Sequence, residues 1–291
     1  MRKLALSDEI LLKVDKAARY IGGEVNSVMK DKNEVEIRFA MCFPDVYEIG
    51  MSNLGMMILY NMFNQREDVW CERLFSPWPD LDKVMREQNI PLFALESQEP
   101  IRDFDFLGIT LGYEMCYTNI LQVLDLSGIP LKSADRGEDF PIVIGGGACA
   151  YNPEPLAPFF DLFYIGEGET VYDALFDAYK ANKKAGGSRR DFLLAAAKIP
   201  GIYVPSLYEV TYKEDGTIAS FAPTEAGVPE KVQKQLIIDM EKEYRAVEAP
   251  VVPHIKATQD RVTLEIQRGC IRGCSFCQAG RIYRPTREFF F

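Results

Sequence analysis

Pro141-Ile142-Val143-Ile144-Gly145-Gly146-Gly147 is an apolar run that breaks abruptly into three glycines. So short and uniform a run reads as a strand covered on both faces, and the glycines as a tight exit turn. The pattern of strand, loop and helix continues on both sides. Downstream, Leu162-Phe163-Tyr164-Ile165 enters Gly166-Glu167-Gly168-Glu169, and Thr170 to Lys183 has helical spacing. Upstream, Phe106-Leu107-Gly108-Ile109-Thr110-Leu111 precedes a helix from Tyr117 to Leu126, which Gly128 and Pro130 end. Nearer the N-terminus, Glu34 to Ala40, Val69 to Phe75 and Pro91 to Leu95 read as strands. Residues from Leu54 to Phe63 and from Asp80 to Gln88 read as helices, and Asp8 to Tyr20 as a short amphipathic one.

Short apolar strands alternating with helices predict an α/β fold, a doubly wound and mostly parallel sheet with helices on both faces. The expected division is an N-terminal helical arm over 1–29 and an α/β domain over 30–221. That domain would close with a β-hairpin, Tyr208 to Tyr212 turning through Gly216 into Thr217 to Phe221. A polar linker over 222–260 would lead to a last segment, 261–291. Ligands in such sheets bind beyond the carboxyl ends of the strands, where the glycine-rich loops fall.

Composition narrows the function classes. The chain has 33 Lys and Arg against 43 Asp and Glu, a net charge of −10. A groove that follows nucleic-acid phosphates should be basic, so nucleic acid is not indicated by charge. No apolar run approaches the ~18 residues needed to span a bilayer, and the N-terminus turns acidic too early for a signal peptide. A cytoplasmic setting without a membrane partner is expected. The seven cysteines would then be ligands, catalysts or core residues rather than disulfides.

The expected strand Val262-Thr263-Leu264-Glu265-Ile266-Gln267 leads into Arg268-Gly269-Cys270-Ile271-Arg272-Gly273-Cys274-Ser275-Phe276-Cys277. The spacing is C-x3-C-x2-C, with an aromatic residue before the third cysteine. Three thiolates this close can each hold one iron of a cubic [4Fe–4S] cluster and leave the fourth iron without a protein ligand. That vacancy lets a chelating molecule receive an electron directly. The motif resembles that of the radical S-adenosylmethionine (SAM) superfamily. The resemblance implies Cys270, Cys274 and Cys277 as cluster ligands and Phe276 as the residue whose backbone meets the adenine of SAM. It also implies a reductant such as flavodoxin or ferredoxin, and reductive cleavage of SAM to a 5′-deoxyadenosyl radical. Arg268, Arg272, Arg281, Arg284 and Arg287 gather positive charge around this loop, which would favour the anionic cluster and the SAM carboxylate.

A structural zinc site is the alternative. Zinc normally takes four ligands in a closed tetrahedron, and the single histidine, His254, lies far upstream in a Pro-flanked loop. None of the other cysteines falls at finger-like spacing.

The upstream domain resembles the cobalamin-binding domain that precedes the core in a subset of radical SAM proteins, and more narrowly an uncharacterised family of these. The stretches Pro141 to Pro155 and Asp161 to Glu169 carry the likeness. It implies cobalamin against Gly145, Gly146 and Gly147, with Glu167 as a contact. Many cobalamin proteins have Asp-x-His-x-x-Gly in the first strand–helix loop, whereas this chain reads Asp45-Val46-Tyr47-Glu48-Ile49-Gly50. Cobalt would have no histidine lower ligand. Equally, the glycines could make only a tight turn, and Glu167 and Glu169 could be solvated loop carboxylates. Cys42, Cys71, Cys116 and Cys149 lie in or beside apolar strands and read as buried structural cysteines.

A radical SAM core is a partial β/α barrel, and a full barrel takes ~250 residues. Only fourteen residues follow Cys277, ending in Phe289-Phe290-Phe291. The expectation is therefore the first strand and cluster loop of an incomplete barrel, in a chain that alone cannot perform the radical reaction. The function expected of the whole is a radical SAM [4Fe–4S] enzyme, with cobalamin-assisted methyl transfer as one outcome and no readable substrate. The readings from other classes are a non-catalytic cobalamin- or nucleotide-binding module and a zinc-stabilised interaction protein.

Overall fold

A computed structural model describes residues 3–244 and 246–288; the expected apolar tip Phe289-Phe290-Phe291 lies outside them. Six strands form one sheet: β1 (Ile37–Phe43), β2 (Val69–Phe75), β3 (Phe106–Thr110), β4 (Ile142–Gly146), β5 (Leu162–Tyr164) and β6 (Ile202–Tyr203). Their order is β2-β1-β3-β4-β5-β6. The first five run parallel, and β6 closes the edge antiparallel to β5. Phe39 stands opposite Cys71 on one side and Phe106 on the other, and Ile144 stands opposite Gly108 and Leu162.

The crossovers are α1 (Leu54–Asn64), α2 (Pro79–Gln88), α3 (Tyr117–Leu126) and α4 (Tyr172–Lys184), followed by α5 (Arg189–Ala196). Alternate strand residues point to opposite faces, and β1 shows where each set goes. Phe39 and Met41 pack with Met56, Tyr60 and Phe63 of α1, with Tyr172 and Phe176 of α4, and with Phe192 of α5. Ala40 and Cys42 pack instead with Leu81 and Met85 of α2 and with Ile120, Val123 and Leu124 of α3. Every residue of β1 and β2 is buried, including three charged ones, which are ion-paired: Arg38 with Glu72, and Arg73 with Glu24 and Glu96. The helices start where their sequences offer caps. The Asn53 side chain accepts from the Met56 amide at 2.9 Å, and Ser188 and Asp191 form a reciprocal capping box on α5.

Three expected elements differ. Asp8 to Tyr20 is a single helical turn, Asp8–Leu11, and a 3-10 turn, Ala17–Arg19. Lys16, in the left-handed region at φ 52°, breaks the helix between them. The arm nevertheless buries Leu6, Ile10, Val14 and Tyr20 against the α2–α3 side of the sheet. Pro91 to Leu95 makes only an isolated bridge between Phe93 and Pro100, since Leu92 and Ala94 spend their amides on Leu126 and Glu99. The strand expected over Val262 to Gln267 shrinks to β9 (Gln267–Arg268), after the antiparallel hairpin β7 (Tyr208–Tyr212) and β8 (Ile218–Pro223). A strand needs neighbours to satisfy its backbone. Among the described residues the only ladder here is with β10 (Arg287–Glu288), and Val262 and Leu264 are left exposed. Among the described residues, no helix is long and apolar enough to cross a membrane.

Candidate functional site

The order 2-1-3-4-5 reverses direction between β1 and β3, and at such a switch point the loops beyond the strand ends diverge and open a crevice. A cleft of about 570 Å³ lies there. Its floor is Phe39 and Met41 of β1 with Gly108 to Thr110 of β3. One side is the start of α1, Asn53 to Met56, and the other is the pair of glycine loops after β4 and β5.

The three glycines that end and follow β4, Gly145 to Gly147, divide between two faces. Gly146 and Gly147 line the cleft. A Cβ on Gly146 would stand in open space, its nearest neighbour the Tyr172 hydroxyl at 3.9 Å. Gly145 lies on the opposite side of the pleat, where a Cβ would meet Phe163 at 2.7 Å. Gly147 has φ 113° and sits so close to β3 that a Cβ would be 2.8 Å from the Leu111 carbonyl oxygen. Only glycine suits that position.

Beyond β5, Gly166, Glu167, Gly168 and Glu169 all line the cleft, but the carboxylates are engaged. Glu167 accepts from both terminal nitrogens of Arg287 at 2.7 Å and from the Ile237 amide at 2.8 Å, and forms an ion pair with Arg268 Nη1 at 3.2 Å. Glu169 accepts from Arg268 Nη2 at 2.5 Å. Burial alone would raise the Glu167 pKa. Hydrogen bonds from Arg287 and Ile237, with the charges of Arg268 and Arg287, outweigh it and hold the carboxyl below its ordinary value. The expectation of solvated loop carboxylates is thus replaced by an ion-pair cluster.

That cluster joins the cleft to the cysteine loop. The pairing of β9 with β10 sets Arg268 opposite Arg287 and closes the span 269–286, which holds all three cysteines, at its neck. Arg268, Gly269 and Tyr283 line the same cleft as the glycine loops. Lys234 braces the far side, donating to the carbonyls of Ile282 at 2.8 Å and Arg284 at 2.5 Å. Within the loop Cys274 is exposed, and Cys270 and Cys277 are half-buried. Cys270 Sγ accepts from the Arg272 amide and Cys277 Sγ from the Gly280 amide, each at 3.4 Å. The side chain of Phe276 is 91% exposed. Among the described residues no three Cys, His, Asp or Glu side chains converge at ligating distance. The three thiols share one loop but are not drawn onto a common centre. In donor chemistry they suit an iron–sulfur cluster: three thiols, two of them already receiving backbone N–H groups, as cluster sulfurs do.

Of the five arginines expected to surround the cysteines with positive charge, Arg268 and Arg287 are neutralised by Glu167, Glu169 and Glu265. Arg284 donates to the Arg272 carbonyl at 3.0 Å, while Arg272 and Arg281 face solvent. Tyr47, at the position where a histidine would be, turns into the core and donates to Glu24 Oε1 at 2.9 Å. The His254 ring donates from Nε2 to the Gly22 carbonyl at 3.1 Å. Cys42, Cys71, Cys116 and Cys149 are buried, and burial pushes each thiol above its ordinary pKa, which keeps them protonated and unreactive.

The Glu167 cluster was not foreseeable from local pattern, since Glu167 and Arg287 are separated by 120 positions. The available signal was the pair of arginines flanking the cysteines, facing a glycine loop that carries two glutamates.

The family described as Radical SAM proteins, N-terminal, matches residues 55–205, just over half of the chain, and takes in both glycine loops. The uncharacterized protein MJ0966 of Methanocaldococcus jannaschii is 26% identical over 249 residues, covering 85% of this chain and 42% of that protein. The chain therefore spans about two-fifths of the length of that relative. The solved structure of the radical SAM methyltransferase TsrM from Kitasatospora setae, with tryptophan substrate and a SAM analog bound, aligns over 84% of this chain and 41% of its own. It does so at 15% identity and a TM-score of 0.39, too slight a likeness to carry an argument.

Proposed function

This chain belongs to the radical SAM proteins through their N-terminal region, and on that premise we propose that it holds a [4Fe–4S] cluster on Cys270, Cys274 and Cys277 beside a cobalamin-type crevice. The supporting observation is adjacency: the neck of the cysteine loop, Arg268 and Gly269, lines the same cleft as Gly146, Gly147 and Gly166 to Glu169. Two groups bound at these places would be neighbours. When bound, the cluster supplies an electron for reductive cleavage of SAM, and cobalamin can relay a methyl group.

The chain's own residues have separable tasks in this reading. Cys270, Cys274 and Cys277 would hold iron as thiolates, and the backbone around Phe276 would lie against the adenine of SAM. Gly146 and Gly147 leave the cleft wall bare, so a nucleotide tail can lie on the main chain. Phe39, Met41 and Tyr172 give the cleft an apolar side that excludes water. Tyr47 is held by Glu24, so it does not stand in for the histidine that this loop lacks. A flavodoxin or ferredoxin would deliver the electron, and methyl transfer to an unactivated carbon is the reaction this pairing suits.

The test is titration of the chain with hydroxocobalamin, read by absorbance and by quenching of intrinsic fluorescence. Gly146→Val fills the cleft without requiring an unusual backbone conformation and should weaken binding at least about tenfold, equivalent to ~1.4 kcal/mol. Equal affinity in the two proteins, or no binding by either, contradicts the cobalamin part.

A further inference from the structure

The neck of the cysteine loop poses an electrostatic problem. Among the described residues its ladder is two residue pairs long, and one pair sets Arg268 directly opposite Arg287. Like charges across a ladder repel, and both side chains are largely withdrawn from water, at 11% and 7% exposure. Arg268 has three carboxylates within reach: Glu265, Glu167 and Glu169. Among the described residues, Arg287 meets only one, Glu167, which takes it two-pronged at 2.7 Å. Among the described residues, Glu167 is thus the single carboxylate in contact with the arginines of both strands of the neck.

Its main chain is fixed with equal care. The Glu167 amide donates to the Gln235 carbonyl at 3.0 Å, and the Gln235 amide donates to Ile165 at 3.0 Å. The Tyr164 hydroxyl donates to the Glu167 carbonyl at 2.5 Å. Gly166, at φ 146°, lies so near Gln235 that any Cβ there would collide with its backbone. The loop that forms the cleft wall is therefore rigid at the residue that holds the cysteine loop.

We infer that Glu167 is a positioning residue that fastens the neck of the Cys270–Cys277 loop to the wall of the glycine cleft, setting where the thiolates stand relative to whatever occupies the cleft. The inference rests on the proposed cluster reading for its consequence, but the clamp itself does not. Glu167 touches no cofactor in this role. It acts through Arg287, with Arg268 as the second contact. Neutralising it leaves the Arg287 guanidinium on backbone carbonyls, those of Ile237 and Pro285 among them, with no carboxylate among the described residues and beside another cation. That weakens the closure of the neck even with Lys234 still in place.

The experiment compares the full chain with Glu167→Gln, Arg287→Gln and the double variant. Amide hydrogen exchange should rise at least about tenfold across 267–288 in each single variant, while residues 37–43 and 69–75 keep wild-type protection. The double variant should be no worse than either single one, because the two residues form one contact. After anaerobic reconstitution with iron and sulfide, Glu167→Gln should retain iron about tenfold less well and lose the change that SAM makes in the wild-type EPR spectrum. Wild-type exchange at the neck of Glu167→Gln, or additive effects in the double variant, would overturn the clamp. If the wild-type chain takes up no cluster, the cluster reading fails, and the exchange data still decide the clamp. If Glu167→Gln does not fold, Arg287→Lys keeps the charge but not the two-pronged geometry. It should loosen the neck alone, and an unchanged neck there is equally contrary.

Discussion

Phe63 and Phe276 represent two regions that hold their shape in different ways. Phe63 is 1% exposed and sits in α1 among the rings of Phe39, Tyr172 and Phe176, with centroids 4.6–5.1 Å away. Phe276 is 91% exposed in the cysteine loop. The α/β domain is covered on both faces by its own helices, so its conformation follows from burial of apolar surface. The cysteine segment buries little of its own. It is held by a two-pair ladder, the contacts of Lys234 and the carboxylates of the cleft wall. The difference teaches that the second region borrows its geometry from the first, and that polar contacts rather than core packing carry the loan.

Substitutions should separate the regions sharply. Phe63→Ala should cost about 3–5 kcal/mol, as ring deletions in packed cores do, measured by denaturant unfolding. A loss below ~1 kcal/mol would mean the aromatic layer is not the core it looks. Gly147→Ala comes next, at about 1–3 kcal/mol, because φ 113° and the Leu111 carbonyl both oppose a side chain. Thermal unfolding reads this, and crystallography should show β3 and β4 forced apart near the cleft.

The arm adds a pH-dependent contribution. Burial alone would raise the Glu48 pKa, but hydrogen bonds from Arg19 and Lys16 overcome it and bring the value to about 2. A carboxyl depressed in the folded state stabilises the fold above its ordinary pKa, and that contribution disappears as pH falls toward about 2. Glu48→Gln should therefore flatten the acid limb of the stability profile and leave the neutral-to-alkaline shape unchanged. An unaltered acid limb would remove Glu48 from the account. Phe276→Ala should have the smallest effect on folding, within about 0.5 kcal/mol. A larger cost would show that the loop is packed against something.

How much of this was legible in the sequence follows the same division. The helix Tyr117–Leu126 lies where the spacing and the terminal Gly128 and Pro130 put it, and β4 follows the apolar run that starts at Ile142. Elements buried on both sides leave the clearest traces because each residue answers to the same demand. Val262 to Gln267 misled because alternation reports a wish to pair, whereas a strand also needs a partner. The C-x3-C-x2-C spacing was plain because chelation is local. The fate of Arg287 was not, because its counter-charge is supplied by a loop after β5, and no local pattern encodes a contact over that separation.

The proposal that everything else leans on is that Cys270, Cys274 and Cys277 hold a cluster with one open iron. Anaerobic reconstitution of the chain with iron and sulfide, followed by EPR of the reduced protein with and without SAM, tests it directly. The expected result is a cubane signal that SAM alters and that Cys274→Ala abolishes while the fold persists. Tight stoichiometric zinc with no cubane signal would contradict it.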